Sequence, residues 1–412
     1  MIISYSLKNF YSIGDEGAIV NFAVDGNAPR TNLYLNKGDV AGRVSLLETV
    51  IGPNASGKTR LLQGLAFMSY LITSSYHDRP QAHIPFEPHR NTHAKPSEVS
   101  AKFIVKSRVF EYSFVFDTKK IIKESLKEYS LTKERVTAKT LASREWNSDA
   151  DSYVLIDKEI GISNVTELRK NASMIASAMQ KDAPSDLAKL ISNYWSNSVS
   201  TFNLWAGGNM EDSTFATDGL IRRSLNKLFD KKNEKIKKRI QDILSEYDIG
   251  FSGFFRQESS LPIPSENKAV VYGLNHKFID KEFTILINQE SSGTKRLIVI
   301  LYNIIEALLV KGGGVAVIDE IDAFLHPDIV EALVDLFIYP ETNPNKAQLL
   351  FSTHNHRLLE SFDKQQIILT EKNKRGKTEA WRLDEVDGIK STDNFYTKYI
   401  SGAYGARPKI GA

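Results

Sequence analysis

The sequence of 412 residues contains no cysteine. This absence excludes a disulfide scaffold, a cysteine nucleophile, a thiolate zinc site and an iron–sulfur cluster. A long apolar run is also missing, because the most apolar region, residues 297–310, is interrupted by Tyr302, Asn303 and Glu306 and is shorter than the ~20 residues that span a bilayer. The first residues show no signal-peptide pattern. We therefore expect a soluble, cytoplasmic protein without a membrane segment.

An excess of charge of one sign is missing too. The chain has 53 basic and 50 acidic residues and a formal net charge of +3. This balance disfavours a globally basic nucleic-acid coat protein, but it is compatible with local basic patches. With 42% hydrophobic and 25% charged residues, the composition is that of a globular chain, which excludes disorder as a description of the whole molecule.

Hydrophobic patterning divides the chain into three parts. Residues 1–129 carry strand patterns and one amphipathic helix, whereas residues 130–248 lose strand signals and gain helical spacing, for example over 225–243. Strand signals resume within 249–412, where a long helix precedes the apolar run 315–318. We predict an α/β fold with an N-terminal lobe over 1–129, a helical insertion over 130–248 and a C-terminal lobe over 249–412.

One motif matches the phosphate-binding pattern G-x-x-x-x-G-K-[ST], with an apolar strand before it and an amphipathic helix after it. Its glycines let consecutive backbone N–H groups point at phosphates, Lys58 reaches the β- and γ-phosphates, and the Thr59 hydroxyl ligates Mg²⁺. The predicted nucleotide-binding residues are Gly52, Pro53, Asn54, Ala55, Ser56, Gly57, Lys58 and Thr59. Spacing alone leaves ATP and GTP open.

Two carboxylates follow the apolar run 315–318. Ligands collect at the carboxyl ends of parallel strands, so Asp319 is placed to hold Mg²⁺ through water and Glu320 to polarise an attacking water. His354 follows the next apolar strand and is predicted to contact the γ-phosphate. Upstream, Ser292, Gly293 and Thr294 open a long helix, whose N-terminus is a second candidate anion site.

The order of these motifs resembles that of the ATP-binding-cassette class of ATPases. The resemblance implies an ABC-type P-loop head that hydrolyses ATP with Mg²⁺, with Lys58, Glu320 and His354 in catalytic roles. It also implies a head-to-tail homodimer, or a higher homo-oligomer, in which Ser292, Gly293 and Thr294 of one copy complete the ATP site of the other. Asp322 is expected at that interface. The Ser-Ser-Gly-Thr sequence departs from the Leu-Ser-Gly-Gly-Gln of transporters, which disfavours a transporter subunit.

The chain more closely resembles the SMC-like ATPases of bacterial abortive-infection and anti-phage loci, of the AbiLi/RloA type, which are related to the OLD-family ATPases. The matching pieces lie at 7–13, 52–59, 290–294, 318–327, 351–355 and 401–408. The tail 401–408, SGAYGARP, points to this subgroup. By this resemblance Asn9 lies near the nucleotide, although an asparagine at the end of a strand is commonly a turn former.

Two features of these families find no counterpart. A glutamine loop that contacts the metal cannot be placed after Thr59, and only 58 residues follow His354, too few for the TOPRIM nuclease domain of OLD nucleases. An effector protein is therefore expected as a separate polypeptide.

A basic run lies on a predicted helix of the insertion, and it is a candidate contact for a nucleic-acid backbone or an ordinary solvated face. Its residues are Lys231, Lys232, Lys235, Lys237, Lys238 and Arg239. Three hypotheses follow: an anti-phage ATPase that controls a separate effector, a RecF/SMC-like ATPase that grips DNA in repair, and a slowly hydrolysing nucleotide-switched scaffold.

Overall fold

The computed structural model describes residues 1–26, 28–29, 31–132, 135–202, 204, 216–247, 250–258 and 270–408. The strands are β1 (Ile2–Lys8), β2 (Ala18–Asn21), β3 (Ala23–Val24), β4 (Tyr34–Asn36), β5 (Arg43–Ser45), β6 (Leu47–Ile51), β7 (Ser97–Val105), β8 (Arg108–Phe116), β9 (Ile121–Thr132), β10 (Arg135–Asn147), β11 (Ser152–Asp157), β12 (Val199–Phe202), β13 (Phe251–Glu258), β14 (Val270–Phe278), β15 (Lys281–Leu286), β16 (Val315–Ile318), β17 (Gln348–Ser352), β18 (Ile367–Lys372) and β19 (Thr378–Arg382). The α-helices are α1 (Lys58–Thr73), α2 (Met174–Ala178), α3 (Asp186–Ser198), α4 (Ala216–Leu228), α5 (Glu234–Tyr247), α6 (Ser292–Leu309), α7 (Pro327–Ile338) and α8 (Phe395–Ile400).

A six-stranded sheet carries the nucleotide motifs. Its strand order is β12-β16-β17-β6-β18-β19, and every neighbouring pair is parallel except β18 with β19. Strand β16 shows why the sheet forms, because all four of its apolar residues are buried. Val315 and Val317 face one hydrophobic core and Ala316 and Ile318 face the other. A run that is apolar on both faces suits a central parallel strand covered by helices on both sides.

An antiparallel seven-stranded sheet stands beside it in the order β11-β10-β9-β8-β7-β1-β2. Helix α1 contacts strands of both sheets, so the helix that follows the phosphate-binding motif is buried between them. The Gln348 side chain also joins the sheets. Its amide nitrogen donates to the Ile2 and Ser45 carbonyls, both at 2.9 Å, and its oxygen accepts from the Ile2 N–H at 2.6 Å.

The structure corrects where the helical part begins. Strands β10 and β11, and the end of β9, lie after residue 130 and pair antiparallel, whereas the sequence analysis expected helices there. The first five residues of β10, 135–139, give a weak strand signal, because all five are exposed and Val136 is the one large apolar residue among them. Among the described residues of the interval, helices α2 to α5 begin at Met174, with strand β12 between α3 and α4.

The single helix expected over 225–243 is two helices. Helix α4 ends at Leu228. Asp230 then caps a short 3₁₀ turn, Lys231–Asn233, because its carboxylate accepts from the Lys232 N–H at 3.2 Å. Helices α4 and α5 then pack on α6, where Ile221, Leu225, Ile236 and Ile240 are buried in one core. No described helix is long and apolar enough to cross a membrane.

Candidate functional site

The phosphate-binding motif joins β6 to α1. Gly57 has φ +111° and precedes the first helical residue, Lys58. A Cβ atom at Gly57 would lie 2.1 Å from Thr378 Oγ1, and one at Gly52 would lie 2.2 Å from the Thr370 carbonyl oxygen. A side chain at either position would clash with β18 or β19, so both positions require glycine. They lie in the loop whose backbone N–H groups can face an anion.

The Lys58 amine lies against this loop. Its Nζ donates to the carbonyl oxygens of Gly52 at 2.9 Å and Pro53 at 3.1 Å. Burial lowers the pKa of Lys58, while the nearby carboxylates, Asp319 first among them, act in the opposite direction. The amine is thus a partly desolvated cation next to acidic groups, as a residue that binds phosphates beside a metal requires.

Asp319 is the centre of a hydrogen-bond chain at the ends of three parallel strands. The Thr59 hydroxyl donates to its Oδ2 at 2.7 Å, and the Ser352 hydroxyl donates to its Oδ1 at 2.5 Å. The same Ser352 oxygen accepts from the Glu320 N–H at 2.7 Å. The structure therefore brings the two predicted metal residues together, and their hydroxyl and carboxylate oxygens are ligands that Mg²⁺ prefers.

Glu320 occupies an unusual backbone conformation, with φ +50°. Arg296 of α6 holds this turn, because its Nη2 donates to the carbonyl oxygens of Asp319 at 3.0 Å and Glu320 at 2.6 Å. Burial lowers the pKa of Arg296, and the three carboxylates near it, led by Glu320, oppose this shift. The sequence analysis did not identify Arg296, since one arginine in an amphipathic helix has no distinguishing pattern.

His354 and Asp322 are in contact. The His354 backbone N–H donates to the Asp322 carboxylate at 3.1 and 3.2 Å. His354 also lines a cavity of about 840 Å³ together with Lys58, Thr59 and Glu320. The predicted γ-phosphate contact and the predicted water-orienting residue therefore face the same space.

The rest of this cavity comes from segments far apart in the chain. It is lined by Tyr11, Arg60, His89, Arg90, Lys372 and Arg375, among others. The Arg60 guanidinium lies 4.2 Å from the centre of the Tyr11 ring, so these two lining residues form a cation–π contact. Sequence reasoning missed these six residues, because Arg60 follows the motif without being part of its pattern and the other five come from segments that no local motif connects to it.

Asn9 has a different place from the one expected. Its side chain is 1% exposed. Its amide nitrogen donates to the Lys95 carbonyl at 2.8 Å, and its oxygen accepts from the His89 N–H at 3.0 Å and the Thr92 hydroxyl at 2.6 Å. The expectation that Asn9 lies beside the nucleotide is corrected: the side chain holds the loop that carries His89, and the loop lines the cavity.

The Ser-Gly turn is separate from this cavity. Helix α6 begins at Ser292, and its N-cap is Ser291, whose oxygen accepts from the Thr294 N–H at 3.0 Å. A Cβ atom at Gly293 would lie 2.8 Å from the Phe324 carbonyl oxygen, so the turn packs against the loop after Asp322. Phe324 is 76% exposed beside it.

The basic run begins in the turn at 231–233 and continues onto α5. Lys231, Lys232, Lys235, Lys238 and Arg239 are exposed, whereas the isoleucines between them face the core. The remaining member of the run, Lys237, is half-buried, with its amine 4.7 Å from the centre of the Phe229 ring. A groove of about 390 Å³ between α5 and α6 is lined by Lys235, Lys238 and Arg239.

A protein-family model described as "AAA domain, putative AbiEii toxin, Type IV TA system" matches residues 49–360. The match spans 312 of the 412 residues and includes the phosphate-binding motif, the Ser-Gly turn, the Asp-Glu pair and His354. The prediction of an α/β P-loop fold is confirmed. No curated protein matches the chain.

Proposed function

Because the chain belongs to this AAA domain family, we propose that it binds ATP in the cavity at Lys58 and hydrolyses it to ADP and phosphate. The observation that carries the proposal is the chain of hydrogen bonds from Thr59 through Asp319 and Ser352 to Glu320. These bonds connect the end of the phosphate-binding motif to the backbone of Glu320, whose carboxylate can act on water. Phosphoryl transfer needs mainly positioning and charge stabilisation, and these residues supply both.

Each residue of the site has a distinct part. Lys58 stabilises charge on the transferred phosphoryl group, and Thr59 and Asp319 hold Mg²⁺, which neutralises the phosphate oxygens when it is bound. Glu320 orients the attacking water. His354, fixed by the hydrogen bond from its backbone to Asp322, contacts the γ-phosphate.

The active unit is a head-to-tail homodimer with ATP between the copies. The capped start of α6 lies outside the lining of the cavity at Lys58, so in this dimer Ser292 and Gly293 act on the nucleotide of the second chain rather than on their own. The exposed Phe324 beside Gly293 supports contact at this face, because a large exposed aromatic residue next to a functional turn favours an interface.

Phosphate release by the full chain with Mg²⁺ and ATP tests the activity. We expect Lys58→Ala to lower turnover by at least ~10²-fold, as loss of a transition-state charge contact does. Glu320→Gln is expected to bind ATP without turnover and to accumulate as a dimer in light scattering. Glu331→Gln, on the exposed face of α7, is the matched control. Full turnover by the Glu320→Gln protein would refute the role of Glu320.

In cells, the ATPase acts in anti-phage defence by controlling a separately encoded nuclease or toxin. The family description, which names a type IV toxin–antitoxin system, supports a role in a defence locus, whereas the separate effector rests on the resemblance to the abortive-infection ATPases. A pull-down with tagged Glu320→Gln protein from cells that carry the native locus tests this role. A stoichiometric protein partner supports effector control, and phage plating with Lys58→Ala should show lost protection.

A DNA-gripping function is the second candidate, and the exposed lysines of the basic run favour it. Phosphate contacts make binding salt-dependent, so duplex affinity should fall steeply between 50 and 200 mM salt. Neutralising Lys235, Lys238 and Arg239 together should abolish binding while ATP turnover persists. Binding that is unchanged in this variant would remove the basic run as the contact.

A further inference from the structure

The tail of the chain packs beside the residues that follow His354. The ring of Tyr399 in α8 lies 4.8 Å, centre to centre, from the ring of His356. His356 is only two residues beyond His354, which lines the nucleotide cavity. Tyr399 is 1% exposed, so this contact is part of the core and fixes α8 next to the site.

Ala406 is anchored at the same edge of the parallel sheet. Its N–H donates to Glu371 Oε2 at 3.0 Å, and its carbonyl oxygen accepts from the Tyr399 hydroxyl at 2.8 Å. The residue is fully buried and has φ +54°, a conformation that needs such support. Glu371 belongs to β18, the neighbour of the strand that leads into the phosphate-binding loop, and Lys372 after it lines the cavity.

Arg407 follows this anchor directly. Its side chain is exposed, and its guanidinium donates to the Ile400 carbonyl oxygen at the end of α8. The pKa of His356 is lowered mainly by burial, and the charges of His354, Arg407 and Lys58 lower it further. Arg407 therefore lies close enough to His356 to act on its imidazole. The anchored tail thus adds a cation to the side of the site where His354 lies.

We propose that Arg407, which lies outside the lining of the cavity at Lys58, turns from the Ile400 carbonyl to bind the terminal phosphate of the ATP held in that cavity. The proposal rests on the proposed ATP binding and extends it to a residue outside the matched motifs. The guanidinium has a neutral carbonyl partner to exchange for a phosphate, and an arginine–phosphate contact is stronger than one to a neutral acceptor. Because the tail packs on His356, two residues beyond His354, Arg407 should act on the γ-phosphate side of the site and so distinguish ATP from ADP.

Titration calorimetry of the full chain with Mg²⁺ and either AMP-PNP or ADP tests the proposal. The variants are Arg407→Ala, Arg407→Lys and a matched control, Arg357→Ala, which removes another exposed arginine close to His356. We expect Arg407→Ala to weaken AMP-PNP binding ~10-fold and ADP binding less than ~2-fold, a loss typical of one charge-assisted contact. Arg407→Lys should fall between wild type and Arg407→Ala, and Arg357→Ala should match wild type.

An equal loss for both nucleotides, or none for either, would overturn the role of Arg407 while leaving ATP binding in place. Failure of the wild-type chain to bind either nucleotide would instead overturn the proposed function, and this inference with it. Arg407 is exposed, so its replacement should leave the thermal unfolding midpoint unchanged. A shifted midpoint combined with equal losses would assign Arg407 to folding and contradict the proposal.

Discussion

Arg296 Nη2 lies 2.6 Å from the carbonyl oxygen of Glu320. Through this bond, the helix that begins at the Ser-Gly turn holds the backbone of the residue proposed to orient water in the same chain. In the proposed dimer that turn would contact ATP bound to the partner. The single helix α6 would therefore connect one ATP site to the catalytic carboxylate of the other.

Replacing Arg296 tests its role as a positioning residue. Arg296→Ala removes the donor that supports Glu320 at φ +50°, so we expect kcat for ATP to fall ~10-fold with KM nearly unchanged. Arg296→Lys should recover part of the loss. Lys295→Ala, on the same helical turn, is the control. A larger effect on KM than on kcat would indicate a binding role and contradict positioning.

The buried ion pair of Arg144 and Glu124 should dominate the stability of the antiparallel sheet. Both side chains are fully buried, Arg144 Nε donates to Glu124 Oε2 at 2.7 Å, and the Met174 N–H donates to Glu124 Oε1 at 2.7 Å. Arg144→Ala leaves a buried carboxylate without its charge partner, which costs about 3–5 kcal/mol of unfolding free energy.

Urea denaturation measures this loss. The control is Lys139→Ala, which removes an exposed ion pair with Glu159 and should cost less than about 1 kcal/mol. Similar unfolding free energies for the two variants would show that the buried pair is not essential to the sheet.

The nucleotide-binding segment of this fold was predictable because its determinants are local or share one sheet edge. The buried run Val315–Ile318 identifies a central parallel strand, and such strands bring Thr59, Asp319 and His354 to one edge. Strand β10 was missed, because its first five residues are all exposed and form no buried apolar face, and because its pairing with β9 is not visible in a local window.

The wall of the cavity could not be predicted for a related reason. Tyr11 and Arg60 come together only when α1 packs between the two sheets, and no spacing in the sequence encodes that packing. Asn9 illustrates the reverse error. Its position after a strand near the motif suggested a ligand contact, whereas its hydrogen bonds to Thr92 and Lys95 show a residue that organises a loop.

Gly57→Ala should damage the phosphate-binding loop through sterics alone. The new Cβ would clash with Thr378 Oγ1 at 2.1 Å, and alanine is strained at φ +111°. We expect a loss of about 1–3 kcal/mol in unfolding free energy and no measurable nucleotide binding. Gly26→Ala is the control, because nothing lies within 4 Å of a Cβ atom there. Normal nucleotide affinity in Gly57→Ala would contradict the tight approach of Thr378.

His356 should make stability depend on pH. Burial, His354, Arg407 and Lys58 lower its pKa in the folded chain, and Asp322 opposes them only in part. The imidazole of His356 therefore binds a proton more readily in the unfolded chain than in the folded chain. The unfolding free energy should fall as the pH drops from about 6.5 to the lower pKa that His356 has in the folded chain. Denaturation of wild type and His356→Gln between pH 8 and 5 measures the difference. The slope of unfolding free energy against pH should be smaller in His356→Gln than in wild type, and it should be unchanged in the exposed control His93→Gln.

Mixing two inactive variants tests whether the Ser-Gly turn acts on the partner's nucleotide. Ser292 is the exposed first residue of α6, where an acidic side chain suits the helix dipole, so Ser292→Asp should fold normally. Its charge would nevertheless repel the phosphates of a nucleotide bound to the other copy. A mixed dimer with Lys58→Ala keeps one site with both an intact loop and an intact turn. Random exchange of equal amounts should therefore restore about a quarter of wild-type phosphate release. If both variants stay inactive after mixing while each remains folded and dimeric with ATP, the turn does not act across the interface.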